Sequence, residues 1–274
     1  MSHYTVAVFS KNGLDDVDLL LAPYYESITV EPYVSQTKEQ LIQKEKERLQ
    51  FVYTGPYARW QIDPKQYEER CNNQQHIEFL QNLPALMQQS DEQLYQSAIE
   101  EYEPDEIAAD GGILSTYNPL SKWDWYEIGG RWIGMLILKE NCTGWRGSPG
   151  LMTEPSIHYD SALAADVDFE AISEQDRGNM KPYKDFLRSG HYTAEYMLEK
   201  YPSEEEYLAR QSLFYTYAVI TPDGIWHAPG DMGWWGMSSE SPDQEREWQF
   251  NYASRFIDPA VKNGWYITIV DCHI

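Results

Sequence analysis

The residues of this chain best equipped for chemistry stand near its two ends. Asp271, Cys272 and His273 set a carboxylate, a thiol and an imidazole in consecutive positions, and His3 and His227 add two further imidazoles. A cysteine nucleophile needs a histidine to draw off its proton and a carboxylate to orient that histidine, so this set reads as a candidate hydrolase site. Alternation works against it, because neighbouring residues of a strand point to opposite faces unless the strand has ended or bulged. The same imidazoles suggest a metal centre of His3, His227, His273 and Asp231. Ligands drawn from three segments at no diagnostic spacing do not define one, and neither metal nor cofactor is expected. Glu154, in PGLMTEP, is a candidate general base or simply a loop carboxylate.

A second group is aromatic. SKWDWYEIGGRW, from Ser121 to Trp132, packs Trp123, Asp124, Trp125, Gly129, Gly130 and Arg131 into twelve residues. The glycine pair permits a turn or a close approach that a side chain would forbid. Trp123 and Trp125, with Trp234 and Trp235 of GDMGWWGMSS, offer flat apolar walls, and Arg131 offers a fixed fork of donors suited to carboxylate or phosphate. Aromatic walls with one convergent cation suit a planar anionic small molecule. The competing reading is a structural plug in which Arg131 pairs with Asp124.

These residues must be positioned by strands. HYTVAVFS (3–10), RWIGMLIL (131–138), LFYTYAVIT (213–221) and WYITIVDCHI (265–274) are short apolar or β-branched runs. Between them lie helical patterns: Thr37 with Gln40, and Ser90 with Gln93, have capping-box spacing. Further helices are expected between Tyr183 and Gln211, and from Ser241, where Pro242 takes the first helical position. Without its insertions, about 31–116 and 139–210, the order matches an α+β, ferredoxin-like βαββαβ arrangement within one elaborated domain spanning 1–274. In the usual order of that fold, fourth-first-third-second with every neighbour antiparallel, His3, Arg131, His227 and His273 meet at one end of the sheet.

Composition narrows the function. The 274 residues carry 44 acidic and 21 basic side chains, a formal charge of -23. Such a chain lacks the clustered Lys and Arg that hold nucleic acid, and an anionic membrane surface repels it. Three cysteines, Cys71, Cys142 and Cys272, form neither a disulfide framework nor a zinc knuckle. The start of the chain has no signal-peptide pattern and no apolar run is long enough to span a bilayer, so a cytoplasmic protein is expected. The acidity reads either as a solvated surface or as mimicry of DNA directed at a host nuclease or restriction enzyme.

The words MSHYTVAVFS, LAPYYESITVEPY, NPLSKWDWYEIGGRW, PGLMTEP, DVDFEAI, GDMGWWGMSS and VDCHI, in this order, resemble those of a widespread protein family of bacteria, phages and mobile elements with no established activity. The resemblance implies a ferredoxin-like core and a phage or mobile-element setting, hence the cytoplasm of a bacterial host cell, and lends the site no chemistry. The function expected from residues and setting together is binding of a nucleotide-like or other planar anionic molecule. Sequestration of a host defence signal would suit such a protein, and a host defence protein is the alternative partner. A Cys/His or metal-dependent hydrolase is the reading from a different class.

Overall fold

A computed structural model describes residues 2–71, 73–188, 193–233 and 236–274. The fold is a mixed α+β arrangement with a mixed sheet. In chain order the strands are β1 (His3–Ser10), β2 (Tyr33–Gln36), β3 (Ile113–Ser115), β4 (Trp125–Gly130), β5 (Ser148–Pro149), β6 (Ser161–Leu163), β7 (Ala218–Ile220), β8 (Trp226–His227) and β9 (Tyr266–His273). The chain forms two compact units, one of residues 1–28 with 118–274 and one of residues 29–117. The second nearly coincides with the insertion expected at 31–116.

The larger unit is built on β1 and β9. They pair antiparallel along their full length, from His3 opposite His273 to Ser10 opposite Tyr266. On its other side β9 meets β4 along its C-terminal half and β6 along its N-terminal half. The sheet order is β5-β4-β9-β1-β7-β8.

This departs from the ferredoxin order in two respects. The strand after the first insertion lies beside the last strand, not beside the third, and β7 runs parallel to β1. Long excursions separate β4 from β7, so no short hairpin ties the second strand to the third as that fold requires. The second strand is also shifted: Trp125–Gly130 is extended, whereas 131–138 runs through turns and isolated bridges. Its cause is the glycine pair. Gly129 and Gly130 take φ of 86° and 55°, conformations that end a strand, and the Trp132 amide closes a turn onto the Gly129 carbonyl.

Because side chains alternate, the sheet has two buried faces. Ala7, Phe9, Ile267, Ile269 and Val219 pack with Trp248, Tyr252 and Phe256 of the segment that begins with the helix Pro242–Tyr252. That helix starts as expected at Ser241 with Pro242 in its first turn, and Ser241 and Gln244 also form a capping box, which the sequence reading did not name. Tyr4, Val6, Val8, Ala218, Ile220, Val270 and Cys272 form the other core with Val17, Leu21 and Trp123. Each such large apolar side chain contributes about 1.5–3 kcal/mol on burial, so both faces anchor the two central strands firmly.

The smaller unit has its own cores. The helices Lys38–Val52 and Asp91–Ile99 begin with the expected capping boxes at Thr37 and Ser90. Leu49, Leu80, Leu83 and Leu94 meet in one cluster, and Leu41, Tyr95 and Ile113 in another beside the β2–β3 pair. No helix among the described residues is long and apolar enough to cross a membrane.

Candidate functional site

One sheet face changes character along its length. The odd-numbered residues of β1 and β9 are apolar at Ala7, Phe9, Ile267 and Ile269, then turn polar at Thr5, His3, Asp271 and His273. Trp125 and Glu127 of β4 continue that row, opposite His273 and Asp271. An apolar core needs no such end, which makes it the candidate site.

Two histidine–carboxylate pairs occupy it. His3 Nδ1 lies 2.9 Å from Asp271 Oδ1, and the Arg131 backbone N–H donates to Asp271 Oδ2 at 2.9 Å. His273 Nδ1 lies 2.5 Å from Asp124 Oδ1, while the Asp124 amide donates to the His273 carbonyl. An ionised carboxylate only accepts, so each Nδ1 carries the hydrogen and a neutral ring presents Nε2 as an acceptor. His273 Nε2 is buried and has no hydrogen-bond partner among the described residues.

The rings are stacked into one assembly. Trp125 lies parallel to His273, with centroids 5.3 Å apart and an interplanar angle of 18°. His3 meets His273 edge to face at 4.9 Å and Trp125 at 5.4 Å. Trp125 remains 43% exposed, whereas His273 is 4% exposed and Asp271 1%. The arrangement therefore offers an open aromatic surface over two oriented imidazoles. Chemically, such imidazoles can donate or accept one proton at a fixed position.

The glycine pair serves the carboxylates. A Cβ on Gly130 would fall 2.4 Å from the Asp271 Cβ, and one on Gly129 would fall 3.1 Å from the Asp160 carboxyl carbon. Asp160, which the sequence reading did not single out, is fully buried. Its carboxylate accepts from the Gly134 and Gly147 amides at 2.6 and 2.8 Å, and burial pushes its pKa up against those bonds. The loop carrying PGLMTEP is tied to the same turn: the Gly150 amide and the Thr153 hydroxyl both donate to the Gly130 carbonyl. Glu154 is exposed on that loop. Ser2, beside His3, donates to the Gly233 carbonyl and accepts from the Gly236 amide. Trp234 and Trp235 themselves lie outside the described residues.

Other expected members are elsewhere. Cys272 is fully buried on the opposite face, and its thiol is pushed up by burial, then by the charges of Asp271 and Asp124. Strand alternation turns Cys272 into that core and His273 to the other face, so the two do not meet in one site. Trp123 is likewise packing: its indole N–H donates to the Leu21 carbonyl and its ring stacks on Tyr25. Arg131 does not pair with Asp124, which holds His273 instead. Its exposed guanidinium starts from a backbone amide already bonded to Asp271.

His227 sits opposite Val219, and Val219 opposite Ala7, so it is four residues along the sheet from His3. Its Nε2 lies 3.2 Å from the Thr221 hydroxyl, and it lines a separate cavity of about 530 Å³ with Lys11, Asp223 and Arg255. Asp231 is bound to Lys122 at 2.7 Å. The proposed metal set therefore comes apart, and among the described residues no three His, Cys, Asp or Glu side chains are grouped to hold a metal ion.

No family model matches the chain, and no curated protein or solved structure is similar to it.

The separation of His227 has a measurable consequence. Burial lowers its pKa, the Arg255 charge lowers it further, and Asp223 opposes them. The unfolded chain thus takes up this proton at a higher pH than the folded one. Stability is present above about pH 6.5 and is lost as the pH falls through that value. His227→Gln, which can keep a bond to Thr221, is expected to flatten the acid side of the melting-temperature profile, measured between about pH 7.5 and pH 5.5.

Proposed function

We propose that this chain is a small-molecule binding protein whose site is the polar end of the β4–β9–β1 face, and that its ligand is nucleotide-like or otherwise planar and anionic. The carrying observation is the half-exposed Trp125 stacked over His273 and edge-on to His3, with both imidazoles fixed at Nδ1 by carboxylates. Trp125 supplies a face on which a base or other flat ring can stack, an interaction worth about 1–3 kcal/mol. Asp124 and Asp271 are each engaged by an imidazole, so the exposed Arg131 supplies the cation for an anionic substituent. Sequestering a host signalling molecule is the role that would join this chemistry to the phage or mobile-element setting implied by the resemblance.

Arg131→Ala is the first test. Its guanidinium is exposed and makes no hydrogen bond or ion pair among the described residues, so stability should change by no more than about 0.5 kcal/mol. Affinity for nucleoside monophosphates, measured calorimetrically, should fall by about tenfold or more, since a charge-assisted contact is lost. Equal affinity in the variant would remove Arg131 from the site.

A second reading rests on the unpartnered Nε2 of His273. A histidine oriented through Nδ1 is also the geometry of a general acid or base. Recovery of the bound molecule in chemically altered form after incubation separates this from simple binding.

A further inference from the structure

Away from the sheet-end site, a cavity of about 610 Å³ opens between the helix Phe169–Asn179, the helix Glu204–Gln211 and the 132–137 segment. This is within the range of sites that enclose drug-sized molecules. One face of the first helix lines it, through Ile172, Gln175, Asp176 and Asn179, whose three- and four-residue spacing puts them on a single stripe. The opposing wall is aromatic. Phe186 and Tyr207 lie 4.6 Å apart between centroids, and Phe214, 7% exposed, and Tyr215 continue that wall.

Within this cavity Asp176 is a half-buried carboxylate that no hydrogen bond or ion pair reaches among the described residues. Burial raises its pKa, which is the cost of leaving the charge without a counter-ion. Lys181 also lines the cavity but is exposed, so the charge within is that of Asp176. Aromatic rings around a desolvated carboxylate favour a cation, through the ring faces and the charge together.

We infer that this cavity is a second ligand site, taking an organic primary amine with a flat apolar body, whose ammonium pairs with Asp176 while its body lies against Phe186, Tyr207 and Phe214. The site is independent of the sheet-end site, shares none of its side chains, and selects the opposite ligand charge.

Tryptamine and indole-3-propionate carry the same ring with opposite charges and serve as probes. By titration calorimetry at neutral pH, with Trp125 and Arg131 replaced by alanine so that the sheet-end site takes no planar anion, tryptamine should bind at least about tenfold more tightly than indole-3-propionate. Asp176→Asn should abolish that preference while leaving the melting temperature unchanged or raised, because it removes a desolvated charge. Asn179→Lys, at an exposed position on the same helical stripe, should weaken tryptamine binding by placing a like charge in the cavity. The inference is overturned by absent tryptamine binding, by equal affinity for the two probes, or by tryptamine binding that both variants leave unchanged. The comparison of the two probes with the sheet-end site removed, and the Asn179 variant, keep the test decisive if Asp176→Asn fails to fold.

Discussion

Gly130→Ala is expected to lower folding stability by about 2–5 kcal/mol, the sum of a left-handed backbone and an overpacked contact. At φ 55° an alanine is strained before any contact is considered. Its Cβ would then fall 2.4 Å from the Asp271 Cβ and 2.5 Å from Oδ2. Asp271 cannot yield cheaply, being 1% exposed and held by His3 and by the Arg131 amide. Whatever movement relieves the collision breaks one of those bonds, so the His3 pair is lost together with stability. Gly129→Ala is the internal comparison. It has a similar backbone penalty, at φ 86°, but approaches Asp160 only to 3.1 Å. Chemical denaturation of the two variants should rank Gly130 as the more costly; a reversed order would mean that the Asp271 contact is not the rigid one.

Arg210→Ala should cost about 2–5 kcal/mol, as expected when a large buried side chain is truncated and the acceptors it served are left unpaired. The side chain is fully buried. Its Nε–H donates to Gln249 Oε1 at 2.6 Å and Nη1–H to the Lys200 carbonyl at 2.5 Å, while the guanidinium lies 4.4 Å from the Tyr201 ring centroid. Glu206 and Glu245, themselves 14% and 18% exposed, approach it at 3.7 Å. Alanine leaves a cavity and two unpaired acceptors, Gln249 Oε1 and the Lys200 carbonyl, while Glu206 and Glu245 keep Arg246 and Lys200 at 2.6 and 2.7 Å. Arg210→Lys should recover only part of the loss, because an ammonium cannot reproduce the planar fork or its ring contact. Full recovery by lysine in denaturant titrations would show that charge alone matters there.

The legible features were those with local causes. The capping boxes at Thr37 and Ser90, and the helix start at Ser241 with Pro242, were readable because each needs only a few consecutive residues. The β-branched and apolar run at His3–Ser10 and the adjacency of His3 to His273 were likewise accessible. Strand order was not. Whether β4 joins β9 or β7 depends on how two long excursions pack, and no residue of β4 encodes it. Trp123 and Trp125 show the same limit: two positions apart in one word, one is a buried plug and the other an exposed lid on His273. Asp160 and Arg210 were invisible because charged residues in sequence read as solvated, and only tertiary contacts reveal the amides and carboxylates that hold them inside. The glycine pair raised a question in the sequence that the buried carboxylates answer: Gly129 clears space for Asp160 and Gly130 for Asp271.

The central claim is that the Trp125–His273–His3 surface holds a planar anionic molecule. Its most direct test is native mass spectrometry of the protein isolated from bacterial cells, wild type beside Trp125→Ala, with nucleoside monophosphates titrated into both. Trp125 is 43% exposed, so the variant should fold like its parent. A small anionic aromatic molecule carried by the wild type, and lost or weakened by about tenfold or more in Trp125→Ala, is the expected result. No bound molecule and no nucleotide binding by the wild type, or binding that is indifferent to Trp125, would contradict it.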